Sequence, residues 1–295
     1  MFKRLVIYLR EMYPPATRLV ASMGLFFGVY ATAIYVGGYK LERPGYEVIV
    51  GVLTVFSFLL YLRIADELKD AETDKINFPQ RPLPSGRTTK KDLIVLAGVV
   101  VTFMLVSNLV FMPNRMYFVA LMLYGGLMTV WFFARSVIQP SLIAALISHN
   151  PVQFLLTAYI VSIAASSYHF SVFRPSMILV ALVFYLPALI WEISRKIRAP
   201  KDENQYVTYS QIFGREGAIA IVFLLCFLQL GMAAFLFRPT SFVASMAGIG
   251  MFIIYALTTN YSVHHPDWSN YGRITRRYLY SFQTLLVIMS VAAIL

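Results

Sequence analysis

Apolar runs of about 20 residues recur along the chain, separated by short polar stretches. They fall near 18–39, 46–65, 93–112, 116–134, 140–167, 175–194, 216–237, 240–260 and 279–295. A run of that length crosses a ~30 Å hydrocarbon core as a helix, the one open-chain form that satisfies its own backbone in lipid. The stretch "MILVALVFYLPALIW" carries no polar face at all, which no surface helix of a soluble protein could afford. The pattern predicts an all-α polytopic membrane bundle. Nine transmembrane helices would surround a central cavity, as one domain over residues 1–295. The first 17 residues, "MFKRLVIYLREMYPPAT", mix apolar positions with Lys3, Arg4, Arg10 and Glu11. They read as an interfacial amphipathic helix ending at Pro14-Pro15 rather than as a cleaved signal.

Composition agrees: 59% of the 295 residues are apolar and 13% are charged. The net charge of +11 would suggest nucleic acid in a soluble protein, but its distribution says otherwise. With alternating spans, nineteen of the 25 Lys and Arg fall on the N-terminal side of the membrane and five on the other, leaving Arg63 inside a span. This is a positive-inside asymmetry. It predicts a cytoplasmic N-terminus in a cell membrane or equivalent inner membrane, a far-side C-terminus, and anionic lipid or ligand rather than nucleic acid as partner. The single cysteine, Cys226, lies within a span and excludes an intramolecular disulfide framework.

Three loops on the basic side are long enough to carry chemistry: roughly 66–92, 195–215 and 261–278. The first follows "RIADELKDAETDKINFPQRPLPSG", which sets five acids (Asp66, Glu67, Asp70, Glu72, Asp74) into nine positions. Asp66, Asp70 and Asp74 are spaced i, i+4, i+8, so a helix continuing out of the membrane stacks them on one face with Glu67 alongside. Pairs such as Asp66–Lys69 would serve a merely solvated helix end. Ionisable residues at a membrane helix end beside Arg63 instead point to function. Oxygen ligands without His or Cys suit Mg²⁺, which bridges carboxylates to phosphates. Acids holding metal among Arg and Lys holding a polyanion, beside an apolar cavity, suggest a prenyl diphosphate. The second loop, "LIWEISRKIRAPKDENQYVTYSQIFG", repeats the order of acids, basic residues and a later glycine (Gly86, Gly214). Two pseudo-equivalent half-sites facing one cavity are therefore expected.

At these residues the chain resembles the UbiA superfamily of intramembrane prenyltransferases. The family signature, N-D-x-x-D-x-x-x-D preceded by an Arg and followed by R-P-x-P-S-G, is matched here by Asp66-Glu67-x-x-Asp70-x-x-x-Asp74. Arg63 precedes it, and Arg81 through Gly86 follow. The resemblance spans essentially the whole chain. It implies that Asp66, Glu67, Asp70 and Asp74 hold Mg²⁺ and that Asp202, Glu203 and Glu192 serve a second ion. Arg63, Arg81, Arg135, Lys196, Arg198 and Lys201 would neutralise the diphosphate. Two departures stand out. Asp-Glu replaces Asn-Asp at the start of the first motif, and Arg198 stands four positions before Asp202, where the family's second motif has an acid. Lys196 and Arg198 are then expected to grip phosphate oxygens directly. The implied reaction ionises an allylic C–O bond, and the acceptor captures the carbocation in an aromatic cavity.

Mid-span His149 and Asn150, with Gln153, flank Pro151 and are candidates for the acceptor's polar group; interhelical hydrogen bonding explains them equally well. His264, His265 and Asp267 lack a third His or Cys and are not expected to bind metal. Trp131 and Trp191 suit an interfacial belt or a cavity wall. The rival reading is a non-catalytic carrier or binder of lipid phosphates or divalent ions. A carrier keeps its acids mid-span, whereas this chain places nearly all of its acids on one side.

Overall fold

The computed structural model describes residues 1–42, 45–203, 207–237, 242–264 and 271–295. Among them there are helices and turns and no strand. The helices are α1 (Phe2–Met12), α2 (Pro15–Gly37), α3 (Tyr46–Lys69), α4 (Ala71–Asn77), α5 (Lys90–Phe111), α6 (Arg115–Thr129) and α7 (Arg135–Ile138). They continue with α8 (Leu142–His149), α9 (Pro151–Tyr168), α10 (Pro175–Ser194), α11 (Tyr209–Leu236), α12 (Phe242–Val263) and α13 (Tyr271–Ile294). The protein is thus an all-α bundle, and among the described residues seven stretches are long and apolar enough to cross a membrane: α2, α3, α5, α8 with α9, α10, α11 and α13.

The expected count of nine is not reached by length. The run at 116–134 becomes α6, only 15 residues, about 22 Å at 1.5 Å per residue. It stops because Trp131, Phe132 and Phe133 all take positive φ (55°, 51° and 59°), a left-handed turn that L-residues adopt only at a cost. In α12 the described apolar stretch is Met246–Tyr261. The run at 140–167 breaks at Asn150, where Pro151 opens α9. The N-terminal segment forms α1 up to Met12, as its pattern predicts.

The chain divides into two compact units. The first comprises Met1–Phe26 and Glu42–Arg135, the second Phe27–Leu41 and Ser136–Leu295. In the first, α3 packs against α5 and α6, and α1 against α5. The face of α5 that carries Val99, Phe103, Val106 and Val110 is exposed, while Val100, Met104, Ser107 and Asn108 are buried. This is the lipid-facing and protein-facing division expected of a spanning helix. Polar side chains link the buried faces, as when Asn108 Nδ2 donates to Thr54 Oγ1 on α3 at 2.9 Å.

In the second unit α10 is central, packed by α9, α11 and α13. Pro187 inside α10 has no N–H to give the carbonyl of Val183 one turn earlier. Gln229 of α11 fills that role, its Nε2 donating to Val183 O at 3.3 Å. Thr157 of α9 donates to Ala181 O at 2.9 Å, and the Thr32 and Ser290 hydroxyls join α2 to α13 at 2.7 Å. His265 and Asp267 lie outside the described residues.

Candidate active site

The last turn of α3 and the short α4 carry the acidic motif. Because α3 is helical through Lys69, Arg63 and Glu67 are i, i+4 neighbours, and the Arg63 Nη2 pairs with Glu67 Oε1. Glu67 is a carboxylate with only 1% of its side chain exposed, and Arg81 Nη1 also lies 4.0 Å from its Oε1. Arg81 binds Asp74 Oδ2 at 2.7 Å and stacks its guanidinium on Phe78 at 3.8 Å. Lys69 pairs with Asp66 at 3.1 Å and lies over the Trp131 ring at 4.4 Å. The left-handed turn at 131–133 follows directly from α6 and carries this ring. The Asp70 carboxylate makes no hydrogen bond or ion pair among the described residues; only its backbone is bonded, to Asp66 O and Asp74 N–H. Burial raises its pKa; Lys69 and Arg135 oppose the rise, and Asp66 and Asp74 add to it.

The R-P-x-P-S-G stretch winds tightly. Ser85 N–H donates to Arg81 O, Gly86 N–H to Leu83 O and Thr88 N–H to Pro82 O. The turn ends at Gly86 with φ +76°, a conformation open to glycine and costly for other residues. Thr89 then caps α5 in a reciprocal box with Asp92.

Asp92 also anchors α1. Arg4 reaches it through Nε at 2.6 Å and Nη2 at 2.9 Å, a bidentate fork. Thr88 Oγ1 donates to Arg4 O, and Arg87 pairs with Glu11. Held this way, α1 buries Tyr8 completely. Its hydroxyl lies within electrostatic reach of Arg63, Glu67 and Asp66, and burial raises its pKa so that it stays protonated. Nothing in the sequence marked Tyr8, which reads there as one apolar position of a surface anchor.

The second motif is arranged differently. Glu192 is taken by Arg195 (2.7 Å) and Lys196 (2.9 Å), and the Glu203 carboxylate accepts from Thr208 Oγ1 at 2.8 Å and from Ser210 Oγ. Asp202 instead lines a cavity of about 430 Å³ with Arg195, Arg198, Arg273, Arg276 and Trp191. Arg276 lies 5.8 Å over the Trp191 ring. The start of α13 at Gly272 lies close to the end of α10, where a Cβ would make ordinary contact with Arg195 Cα at 3.5 Å. The structure therefore does not bring Glu192, Asp202 and Glu203 together. Lys201 is exposed. Arg273 and Arg276 were legible in the sequence only as topology-setting charges. His149 Nδ1 meets its neighbour Ser148 Oγ at 2.9 Å, and Asn150 Oδ1 is buried without a hydrogen bond among the described residues.

Among the described residues no three metal-binding side chains converge. The acids of the first motif are balanced by Arg63, Lys69 and Arg81, with two exceptions: Glu67 Oε2, buried without a hydrogen bond, and the carboxylate of Asp70. An orphaned carboxylate oxygen and, three residues further on, a second desolvated carboxylate have the oxygen chemistry that suits a hard cation such as Mg²⁺.

The model of the UbiA prenyltransferase family matches residues 25–271. Among solved structures, the fold is similar to a digeranylgeranylglyceryl phosphate synthase of membranes, with TM-score 0.66 and 15% identity over 99% of each chain. It is similar to a UbiA homologue from Archaeoglobus fulgidus bound to GPP and Mg²⁺, with TM-score 0.61 and 15% identity over 98% of this chain and 99% of that one. An apo UbiA homologue from Aeropyrum pernix K1 has TM-score 0.68 and 11% identity over 94% of this chain and 99% of that one. At these identities the likeness is one of fold. No curated protein matches the sequence.

Proposed function

The chain belongs to the UbiA prenyltransferase family, and from that premise we propose that it moves a prenyl group from a prenyl diphosphate to a hydrophobic or aromatic acceptor within the membrane. The observation that carries this reading is the buried Arg63–Glu67 pair with its unpartnered carboxylate oxygen, flanked by Arg81 and the desolvated Asp70. The structures with GPP and Mg²⁺ and with DMAPP and Mg²⁺ from Archaeoglobus fulgidus support the donor class. The positive-inside distribution supports a cytoplasmic site.

Asp66, Glu67, Asp70 and Asp74 would hold Mg²⁺, which when bound adds positive charge at the departing diphosphate. The chain's own work is to hold that diphosphate and to place charge where charge develops. As the allylic C–O bond breaks, its electron pair goes to the diphosphate oxygen. Arg63 and Arg81 offer donors already oriented by Glu67 and Asp74, so little reorganisation is needed. Arg135 adds positive charge near Asp70. The acceptor's electron pair then forms the new bond to the allylic carbon, and the acceptor releases a proton. Phe58 and Tyr61, five and two residues before Arg63 on α3, pack ring to ring at 6.0 Å, and aromatic faces of this kind suit an allylic cation.

In the second unit, Arg195, Arg198, Arg273 and Arg276 with one carboxylate, Asp202, make a strongly cationic cavity. We assign it to a phosphate-type anion, with guanidinium in place of a second metal; Lys196 and Lys201 reinforce the field. His149 and Asn150 remain candidates for the acceptor's polar group.

Mass spectrometry of products tests the proposal, using purified protein in lipid with a panel of prenyl diphosphates and a membrane extract. Prenylated products that vanish with EDTA and return with Mg²⁺ are expected. Diphosphate binding without product would instead favour a carrier.

A further inference from the structure

Tyr8 Oη, Arg63 Nε and Glu67 Oε2, all in the first unit, are buried without a hydrogen-bond partner among the described residues. Arg63 and Glu67 are joined through their other atoms, and the Tyr8 hydroxyl lies within reach of their charges and that of Asp66. Buried polar atoms in native proteins nearly always find partners. Phenylalanine would fill the same packed position without the cost of burying a hydroxyl, so the hydroxyl calls for an explanation.

We propose that Tyr8 is a substrate contact: its O–H donates to a phosphoryl oxygen of the prenyl diphosphate beside the Arg63 guanidinium, which makes α1 part of the donor site. This rests on the prenyltransferase reading above. The chemistry of the three atoms is consistent with it. Tyr8 Oη and Arg63 Nε both donate, and the ligand that satisfies two donors beside a carboxylate is an anion that brings its own cation. A phenol carries its proton at neutral pH and is therefore a donor. Position is secured by attachments on both sides of Tyr8: the Arg4–Asp92 fork before it and the Arg87–Glu11 pair after it. Both attachments run to the segment that follows the R-P-x-P-S-G turn. The surface helix and the acidic motif are thereby held as one piece, and a helix that served only as a membrane anchor would need neither the clasp nor the buried hydroxyl.

Tyr8→Phe removes the hydroxyl and keeps the ring. The test uses the full chain in lipid nanodiscs, with geranyl diphosphate and Mg²⁺ as probe, titrated calorimetrically, and Mg²⁺ with inorganic diphosphate as a second probe. A hydrogen bond to a charged group predicts at least about tenfold weaker binding of both probes, with an unchanged melting temperature. Arg4→Gln, which opens the clasp one helical turn before Tyr8 and leaves the hydroxyl in place, should weaken both probes in the same direction by a smaller factor. Wild-type affinity in Tyr8→Phe overturns the contact, as does a loss that merely tracks a fall in melting temperature. Wild-type affinity in Arg4→Gln overturns the role of α1. A wild-type protein that binds neither probe overturns the prenyltransferase reading itself, and this proposal with it.

Discussion

Glu67 and Asp70 are both carboxylates at the end of one helix, yet they are held differently. Glu67 is buried and tied to Arg63, so removing either partner strands a charge in a low-dielectric place. Asp70 is desolvated with no ion pair of its own, which is unfavourable for the fold and useful for a metal-dependent reaction. Asp70→Asn should therefore abolish turnover while leaving the metal-free protein at least as heat-stable as wild type. Activity assays and thermal unfolding in parallel check this; full activity at saturating Mg²⁺ would remove Asp70 from the site. The spacing of the four acids was legible in the sequence because i, i+4 neighbours on a helix need no tertiary information. The Arg63–Glu67 and Lys69–Asp66 pairs are local in the same way; the Arg81–Asp74 pair was not legible, since Arg81 returns through the turn that follows α4.

At the scale of elements, lipid removes water as a substitute hydrogen-bond partner, so each break in a helix must be repaired by protein. Pro187 and Gln229 show the repair. Gln229→Leu should cost about 1–3 kcal/mol by leaving Val183 O unpaired in the bundle. In a Pro187→Ala background, where residue 187 regains its N–H, the same change should cost clearly less. Thermal unfolding of the four proteins in detergent reads the coupling, and equal losses in both backgrounds would show that Gln229 does not serve the broken turn. A proline inside an apolar run is a local property of one helix; its partner, on another helix, is not.

For the whole molecule, the open question of architecture is whether the 15-residue α6 crosses the membrane. Between Ser85 and Ser171 lie α5, α6 and the α8–α9 pair. Three crossings put these serines on opposite faces, and two put them on the same face. In a Cys226→Ser background, Ser85→Cys should react with an impermeant thiol reagent only from the cytoplasmic side, and Ser171→Cys only from the other. Labelling from one face alone would mean that α6 is not a span.

The sequence by itself determined that this chain is a polytopic helical membrane protein with an acidic, arginine-flanked motif of the prenyltransferase type. Those properties are local: an apolar run of sufficient length has no alternative to a helix in hydrocarbon, and side chains three or four apart must share a face. Only the tertiary structure decided which charges meet. It brought Arg273 and Arg276 of α13 into the cavity of Arg195 and Arg198, paired Glu192 with Arg195 and Lys196 and Glu203 with Thr208 and Ser210, and set Tyr8 of a surface helix within electrostatic reach of Arg63 and Glu67. These groups lie tens of residues apart, and their meeting depends on helix packing, which no periodicity in a single sequence encodes.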